Sequence, residues 1–308
     1  MKVIHILVAV LSLFIFALPC FSESSKSEAF VNSHNDFFHL LNSDPDDIKI
    51  GYYYQPETEE DGGPGEFELQ KAFSRLELPL PTSNDAYFRM AMKYDYRNYD
   101  FSSSSGRAGS LSSEALHKIE LGTGYGVFLT KDLLFTALPT FGIYSNMDGL
   151  SEDDFQFHGE FQFVYRLNPG AAIVAGAAYN EIFDDTPFYP ILGVRILSND
   201  GKTHLNITLP TEIKLAYNDT PQTQYYIGGW ISGDQYHYEG DLGDFNIQVR
   251  ENRVGGGVIQ WFNDVVNIQL EAGAQINDEF EFETKGTNLF QNNLETAPYI
   301  WVALGFAL

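Results

Sequence analysis

The sequence contains a single cysteine, Cys20, and only 18 lysine and arginine residues against 42 aspartate and glutamate residues. The resulting net charge of −24 excludes a general nucleic-acid binder, because the phosphate backbone is bound by clustered cations. No uncharged run long enough for a membrane-spanning helix follows the N-terminal region, so a chain that enters a membrane must do so as a closed barrel. A hydrophobic content of 44% also excludes a disordered chain.

The N-terminus has the pattern of a secretory signal peptide over residues 1–22. Residues 3–17 are almost wholly apolar, and small residues near Ser22 predict cleavage after it. About 15 apolar residues are fewer than the roughly 20 that a spanning helix needs. Cys20 would leave with the signal, and the mature chain would have no disulfide, thiolate nucleophile or cysteine ligand. Lipid attachment at Cys20 is the alternative, although Pro19 stands where a bacterial lipobox usually has Gly or Ala.

Residues 23–47 are predicted to form a polar N-terminal periplasmic segment. The segment also carries an apolar patch whose spacing suits a short helix: Phe30, Phe37, Phe38, Leu40 and Leu41. A plug folded into the barrel is the alternative for this patch.

From residue 48 onward, apolar and polar residues alternate with a period of two, which predicts strands with one apolar and one polar face. Residues 155–167 show it best, with Phe157, Phe161 and Phe163 on one face and Glu160 and Arg166 on the other. The longest alternating runs suit the about 9–11 residues of a tilted transmembrane strand better than the about 5–6 typical of soluble sheets. We therefore predict an all-β protein, a single antiparallel transmembrane β-barrel over 48–308. A soluble β-sandwich is the alternative.

The number of strands depends on one proline. The alternation marks thirteen segments, whereas a closed single-chain bacterial barrel has an even number. Splitting 203–217 at Pro210 gives fourteen and makes short periplasmic turns alternate with longer, acidic extracellular loops, among them 279–297. The continuous alternation through Pro210 argues against the split, so the expectation is 12–14 strands.

The same alternation predicts which charged side chains face the lumen. The predicted inward-facing residues are Arg75, Glu77, Arg89, Lys93, Asp95, Arg97, Lys118, Glu120, His158, Glu160, Arg166, Arg195, Glu212, Lys214, Arg250 and Glu271. Tyrosines near the strand ends are predicted to form aromatic girdles at the headgroups. They are Tyr52–Tyr54, Tyr94, Tyr96, Tyr99, Tyr225, Tyr226, Tyr236 and Tyr238.

The C-terminal segment resembles the last strand by which outer-membrane barrels are recognised for assembly. Its predicted members are Tyr299, Ile300, Val302, Leu304, Phe306 and Leu308, and Leu308 departs from the usual terminal Phe or Trp. Residues 192–195 (LGVR), 206–210 (NITLP) and 225–230 (YYIGGW), with the glycine-rich strands that follow, resemble a family of uncharacterised bacterial outer-membrane β-barrel proteins. The resemblance covers about 48–308 and implies a location rather than an activity.

Catalytic, metal and cofactor sites are not predicted. The glycines at 122, 124 and 126 recur every two residues without a following helix, which indicates crowding in the lumen rather than a nucleotide loop. His237 near Asp234 and His158 near Glu160 are the only nearby pairings for hydrolase chemistry, and the sequence shows no nucleophile beside either.

The leading functional hypothesis is a narrow, porin-like, non-enzymatic channel for small solutes in the outer membrane. The inner face is polar, and a barrel of 12–14 strands is wider than an eight-stranded barrel that side chains can fill. The alternatives are a structural or adhesive barrel with a closed lumen and an outer-membrane hydrolase. The expected partners are outer-membrane lipids, the barrel assembly machinery and small solutes.

Overall fold

The computed structural model describes residues 34, 37, 40, 46–59, 66–102, 115–180, 187–240, 243–284 and 287–307. The strands in these ranges are β1 (Ile48–Glu59), β2 (Glu66–Ser83), β3 (Ala86–Ser102), β4 (Ala115–Thr130), β5 (Leu133–Ser145), β6 (Phe155–Asn168), β7 (Ala171–Asn180), β8 (Phe188–Leu197), β9 (Thr203–Leu209), β10 (Glu212–Thr220), β11 (Thr223–Gly240), β12 (Gly243–Trp261), β13 (Val266–Gln275), β14 (Glu279–Thr284), β15 (Thr287–Asn293) and β16 (Ala297–Phe306). A 3-10 turn at Glu152–Asp154 precedes β6. Within the described residues, no helix has the length and apolar content needed to cross a membrane.

The strands form one closed antiparallel barrel of 14 strands. Strands β1 to β13 pair in chain order, and β16 closes the cylinder by pairing with both β13 and β1. The β14–β15 hairpin pairs with the first half of β12 beyond the extracellular end of the wall. The closed wall confirms the predicted barrel over the soluble sandwich.

The split at Pro210 is confirmed, and it restores the even strand number. Strands β9 and β10 pair on either side of a tight turn in which the Thr211 amide donates to the Thr208 carbonyl at 2.9 Å. Proline has no amide hydrogen for a ladder bond, so it is suited to a turn between strands. The apolar residues stay at odd positions on both sides of the turn, as in Leu209 of β9 and Ile213 of β10, because both strands present their apolar face to the outside.

The outer wall is apolar, as the alternation predicts. In β6, Phe157, Phe161 and Phe163 are exposed on the outer face. Val164, which points to the opposite face, is buried inside the barrel. Similar rows of exposed Leu, Ile and Tyr residues continue on the neighbouring strands. An apolar belt of this extent around a closed barrel is the surface that lipid covers.

The wall of the barrel is uneven in height at its extracellular end, and its longest strands fold over the interior. Strands β11 and β12 have 18 and 19 residues, whereas β9 has only 7. Strand β11 pairs with β10 only as far as Trp230. Beyond it, the β11–β12 hairpin crosses the barrel: His237 pairs with Ser145 of β5, and Gln156 of β6 donates to the Gln235 carbonyl at 2.7 Å.

Candidate functional site in the barrel interior

A layer of ion pairs joins opposite walls of the barrel. The Arg97 guanidinium on β3 binds Glu251 of β12 at 2.9 Å and also Asp234 of β11. Lys118 on β4 binds Asp234 at 2.9 Å and Asp95 at 3.4 Å. All of these groups are largely withdrawn from water, and each charge has an opposite partner, which is the condition for tolerating buried charge. We call this set the crossing layer.

Aromatic and aliphatic side chains form a core beside the crossing layer at the extracellular end. The β11–β12 hairpin contributes Tyr236, Tyr238, Phe245, Ile247 and Val249, and β14 contributes Phe280 and Phe282. They pack against inward-facing residues of the wall: Tyr53, Phe67, Leu69, Tyr99, Leu116, Tyr144 and Tyr299. This extracellular core closes the part of the mouth that the hairpin crosses.

The prediction of an aromatic girdle is therefore wrong for half of its tyrosines. Tyr53, Tyr99, Tyr226, Tyr236 and Tyr238 are buried inside the barrel instead of facing the headgroups. Tyr52 and Tyr225 do lie exposed on the outer wall. For the four tyrosines of the extracellular core, the physical reason is that the long hairpin folds inward and packs against an apolar surface. Tyr226 lies apart, in a cluster with Ala216 and Ile259, and its hydroxyl donates to Glu271.

The predicted periplasmic segment contacts the barrel interior wherever the structure describes it. His34, Phe37 and Leu40 are helical, and Phe37 and Leu40 are buried against inner-wall residues that include Tyr87, Phe128 and Val164. His34 stacks on Phe128 with ring centroids 3.7 Å apart. These contacts are those of the alternative, a plug, because the apolar side chains of Phe37 and Leu40 gain stability by burial. We call His34, Phe37 and Leu40 the plug residues.

Asp46 anchors the chain just before β1. Its carboxylate accepts hydrogen bonds from Asn267, at 2.5 Å, and from Gln269, and lies 3.4 Å from the Lys49 ammonium. Asp46 also fills the space that a side chain at Gly305 would occupy. Because of this contact, position 305 of β16 can hold no residue larger than glycine.

Among the cavities inside the barrel, two large ones adjoin each other. The larger, of about 530 Å³, reaches Asn180 and Tyr189 at the extracellular ends of β7 and β8. The smaller, of about 430 Å³, lies towards β12, β13 and β16. Arg75, Lys93 and Glu212 line both cavities, so the two are adjacent, and we call the pair the chamber.

Most of the predicted lumen residues lie in three places inside the barrel. The crossing layer and its neighbours hold Asp95, Arg97, Lys118 and Glu120. The larger cavity is lined by Arg89, Lys93, His158, Glu160 and Glu212, and the smaller by Lys214 and Glu271 among others. Arg166 stands apart at the periplasmic end, bound to Asp132 at 2.8 Å and 5.6 Å from the Phe37 ring centre.

Arg250 is a correction, because it faces outward. Its side chain is 45% exposed and binds Glu279 of β14 at 3.2 Å. Its neighbours Val249 and Glu251 are the inward residues. In this part of β12 the hairpin packs its apolar side into the extracellular core, so the rule that apolar side chains point outward is reversed.

Sequence reasoning also missed Asp234, Glu251 and Arg253 as interior charges. Each lies on the same face of its strand as a buried aromatic or aliphatic neighbour, such as Tyr236 or Val249. The sequence could have shown this, because β11 and β12 each run through their glycines as one strand, so the same alternation of inward and outward side chains continues on both sides. Gly257 shows why glycine is needed there, since a side chain at this position would overlap the Tyr226 ring.

The C-terminal strand closes the barrel. Ile300 and Leu304 are exposed on the outer wall, Tyr299 is buried inside, and Leu308 lies outside the described residues. Strand β16 pairs with β1 from Ile48↔Phe306 to Tyr54↔Ile300. Its part in assembly stays a prediction.

The histidines have partners other than those of a catalytic pair. His158 Nε2 lies 3.3 Å from Glu120 rather than beside Glu160, and its other ring nitrogen faces the Tyr144 hydroxyl at 3.5 Å. His237 contacts Asn246 at 3.3 Å and Asp244 at 3.7 Å. Among the described residues, no three His, Cys, Asp or Glu side chains are grouped closely enough to hold a metal ion.

Asp278, in the extracellular connection between β13 and β14, has a perturbed pKa. Burial raises the pKa of this carboxyl to about 8, and the negative charge of Glu251 adds to the effect. The Asn252 amide donates to it at 3.0 Å. Asp278 thus ties the start of the β14–β15 hairpin to β12 as an acid that is largely protonated below about pH 8.

The closed wall, the apolar outer belt and the polar, charged chamber define a β-barrel of the outer-membrane type. The model of one family matches residues 54–307, and the chain belongs to that family, described as a domain of unknown function (DUF6268). The predicted resemblance to an uncharacterised outer-membrane barrel family is thereby confirmed. No curated protein matches the sequence.

Solved structures of similar shape include an outer membrane channel from Pseudomonas putida F1, at 13% identity, with 86% of this chain and 97% of that chain covered and a TM-score of 0.46. The toluene transporter TodX of P. putida is 11% identical, with 93% and 95% covered and a TM-score of 0.38. The NanC porin is 6% identical, with 85% and 100% covered and a TM-score of 0.39. Since these likenesses are distant, the architecture described above rests on the strand pairing of this chain.

Proposed function

We propose that this protein is a narrow channel of the outer membrane through which small polar solutes pass. The chamber carries the proposal: a polar, charged space of two adjoining cavities stays unfilled inside a closed barrel. Packed side chains fill an eight-stranded barrel, whereas a wider barrel retains internal space unless other elements occupy it. Here the crossing layer, the extracellular core and the plug residues occupy only part of that space.

The uneven rim supports a route on the extracellular side. The crossing hairpin contacts β4, β5 and the turn at Glu152–Asp154, which lie on one side of the mouth. The larger cavity reaches the opposite side, at Asn180 and Tyr189. A solute would enter along the β7–β10 wall and leave at the periplasmic end when the plug residues move aside.

Planar-bilayer recording of the purified mature chain tests the proposal. We expect discrete, salt-dependent conductance steps, and Lys93→Glu should change their size or ion preference because Lys93 lines both cavities. Lys131→Glu is the matched control, since Lys131 is 87% exposed in a periplasmic turn. Absence of steps from protein shown to be folded by heat-modifiable gel mobility would overturn the channel.

A structural or adhesive barrel is the second candidate function. The crossing layer favours it, because Arg97 and Lys118 on the neighbouring strands β3 and β4 bind Asp234 of β11 across the lumen and so close the lumen between them. If folded protein conducts neither as the whole mature chain nor after disruption of the plug contacts, this candidate replaces the channel.

We also propose export through cleavage after Ser22 and assembly into the outer membrane, without enzymatic activity. The apolar outer belt supports a membrane location, and residues 1–22 lie outside the described ranges. Membrane fractionation followed by N-terminal sequencing tests both parts. Recovery in a detergent-free soluble fraction would contradict them.

A further inference from the structure

The smaller cavity is strongly basic although the whole chain is strongly acidic. Its lining has seven basic and three acidic side chains, whereas the chain has a net charge of −24. Two of the chain's 3 tryptophans, Trp230 and Trp301, also line it. We propose that this cavity binds a small organic anion, an aromatic carboxylate. The inference names a solute class for the proposed channel and in that respect rests on it.

The acids of the cavity are engaged within the protein, Glu212 by the Asn206 amide at 3.0 Å. Asp95 is held by Lys71 at 3.7 Å and by Lys118 at 3.4 Å. Glu271 accepts hydrogen bonds from the hydroxyls of Tyr226, at 2.8 Å, and Tyr299, at 2.7 Å. These contacts reduce the negative potential that the cavity presents to a solute. Five of the seven bases are engaged as well, so the proposed site depends on Arg253: Lys49 pairs with Asp46, Lys71 with Glu251, Arg75 with Glu77, Lys93 with Glu120 and Lys118 with Asp234.

Arg253 is held in a different way, by aromatic faces. Its guanidinium lies 5.4 Å from the Trp230 ring centre, 5.7 Å from Tyr299 and 6.0 Å from Tyr53. Among the described residues, no carboxylate forms an ion pair with it. An aromatic face attracts a cation without carrying a neutralising charge. The positive charge of Arg253 is therefore positioned and still available to an anion.

Two lysines of the cavity also lie near aromatic faces, although Lys49, unlike Arg253, is paired with a carboxylate, that of Asp46 at 3.4 Å. The Lys214 ammonium lies 4.7 Å from the Tyr226 ring centre, and that of Lys49 lies 5.6 Å from Trp301. Together with Arg253 they give the cavity cations that aromatic rings help to position. A planar guanidinium is well suited to a carboxylate, because it can donate two parallel hydrogen bonds.

The aromatic lining accounts for the ring of the proposed ligand. Phe73 and Trp301 stack with an interplanar angle of 4°, and Trp230 lies beside Arg253. A volume of about 430 Å³ is in the range of small-molecule sites, roughly 300–1,000 Å³. Flat apolar surfaces close to cations fit a ligand that combines a flat ring with a carboxylate.

Tryptophan fluorescence of the folded mature chain in detergent provides the test, with benzoate as the probe. We expect a saturable change with benzoate and none over the same range with benzylamine, which carries the opposite charge, or with neutral benzyl alcohol. Arg253→Gln should weaken benzoate binding by about tenfold or more, since it removes a charged hydrogen-bond donor. Arg253→Lys should retain more of the affinity than Arg253→Gln.

Arg250→Gln is the matched control, because Arg250 lies three positions away on the same strand but faces outward. Its benzoate affinity should equal that of the unchanged chain. Equal losses in the two glutamine variants, or equal responses to benzoate and benzylamine, would overturn the proposed site. Conductance steps without benzoate binding would refute the site and leave the channel, whereas binding without steps would support the site and refute the channel.

Discussion

Replacing Phe37 with alanine should release the plug residues from the inner wall. Phe37 is 1% exposed, its ring meets Phe128 edge-on at 5.0 Å, and the Arg166 guanidinium lies 5.6 Å away. Truncating a buried phenylalanine to alanine costs about 3–5 kcal/mol. At the lower value, the fraction of molecules with the segment undocked rises about 150-fold, since 1.4 kcal/mol corresponds to a factor of ten.

A thiol introduced beneath the plug residues can report this change. Ala172 is buried in the same cluster as Phe37, and the mature chain is predicted to lack cysteine. In an Ala172→Cys background, the rate of modification by a water-soluble thiol reagent should follow the undocked fraction. Adding Phe37→Ala should raise this rate by about 150-fold, the lower end of the calculated shift.

The control is Phe141→Ala in the same background, because Phe141 is 64% exposed on the outer wall. Its labelling rate should stay close to that of the Ala172→Cys parent. A rise of less than about threefold for Phe37→Ala, against the 150-fold expected from burial, would refute the reasoning that Phe37 holds the segment in place.

Three further predictions follow from the same structure. Arg97→Met should lower the free energy of unfolding in detergent and urea by about 3–5 kcal/mol, because it leaves Asp234 and Glu251 buried without their shared partner. Arg250→Met, at an exposed position, should change the same free energy by less than about 1 kcal/mol. Equal effects of the two variants would contradict the crossing layer. Asp278 binds its proton more tightly in the folded than in the unfolded chain, so stability should fall as pH rises from about 4 to about 8, and Asp278→Asn should flatten that slope in melting curves. Phe161→Arg should reduce insertion into vesicles, at a cost of about 2–4 kcal/mol near the midplane, and normal insertion would show that this face of β6 does not meet lipid.

The amino-acid sequence was sufficient to predict the barrel because local rules decide it. Alternation with a period of two assigns each residue of β6 to a face, and bilayer thickness sets the length of such a strand. At Pro210 the even strand number favoured a split and the alternation argued against it, and the pairing of β9 with β10 in the structure resolved the ambiguity. The inward orientation of Arg89, Lys93 and Glu160 followed from the same periodicity.

What lies across the lumen was not predictable from that pattern. Arg97 and Asp234 are 137 residues apart, and alternation states which face a side chain is on but not what stands opposite it. The girdle tyrosines and Arg250 were misplaced for this reason. Alternation assumes water inside and lipid outside, whereas the β11–β12 hairpin brings a protein surface into the lumen.

The sequence by itself thus determined that the chain forms a membrane barrel, where its wall runs and, for most of the predicted charges, which face of the wall they are on, because these depend on residues that are neighbours along a strand. Only the tertiary structure decided how the interior is divided. The crossing layer, the extracellular core, the contacts of Phe37 and the aromatic surroundings of Arg253 all join residues distant in sequence. Their arrangement depends on the curvature of the closed wall and on the folding of one long hairpin across it.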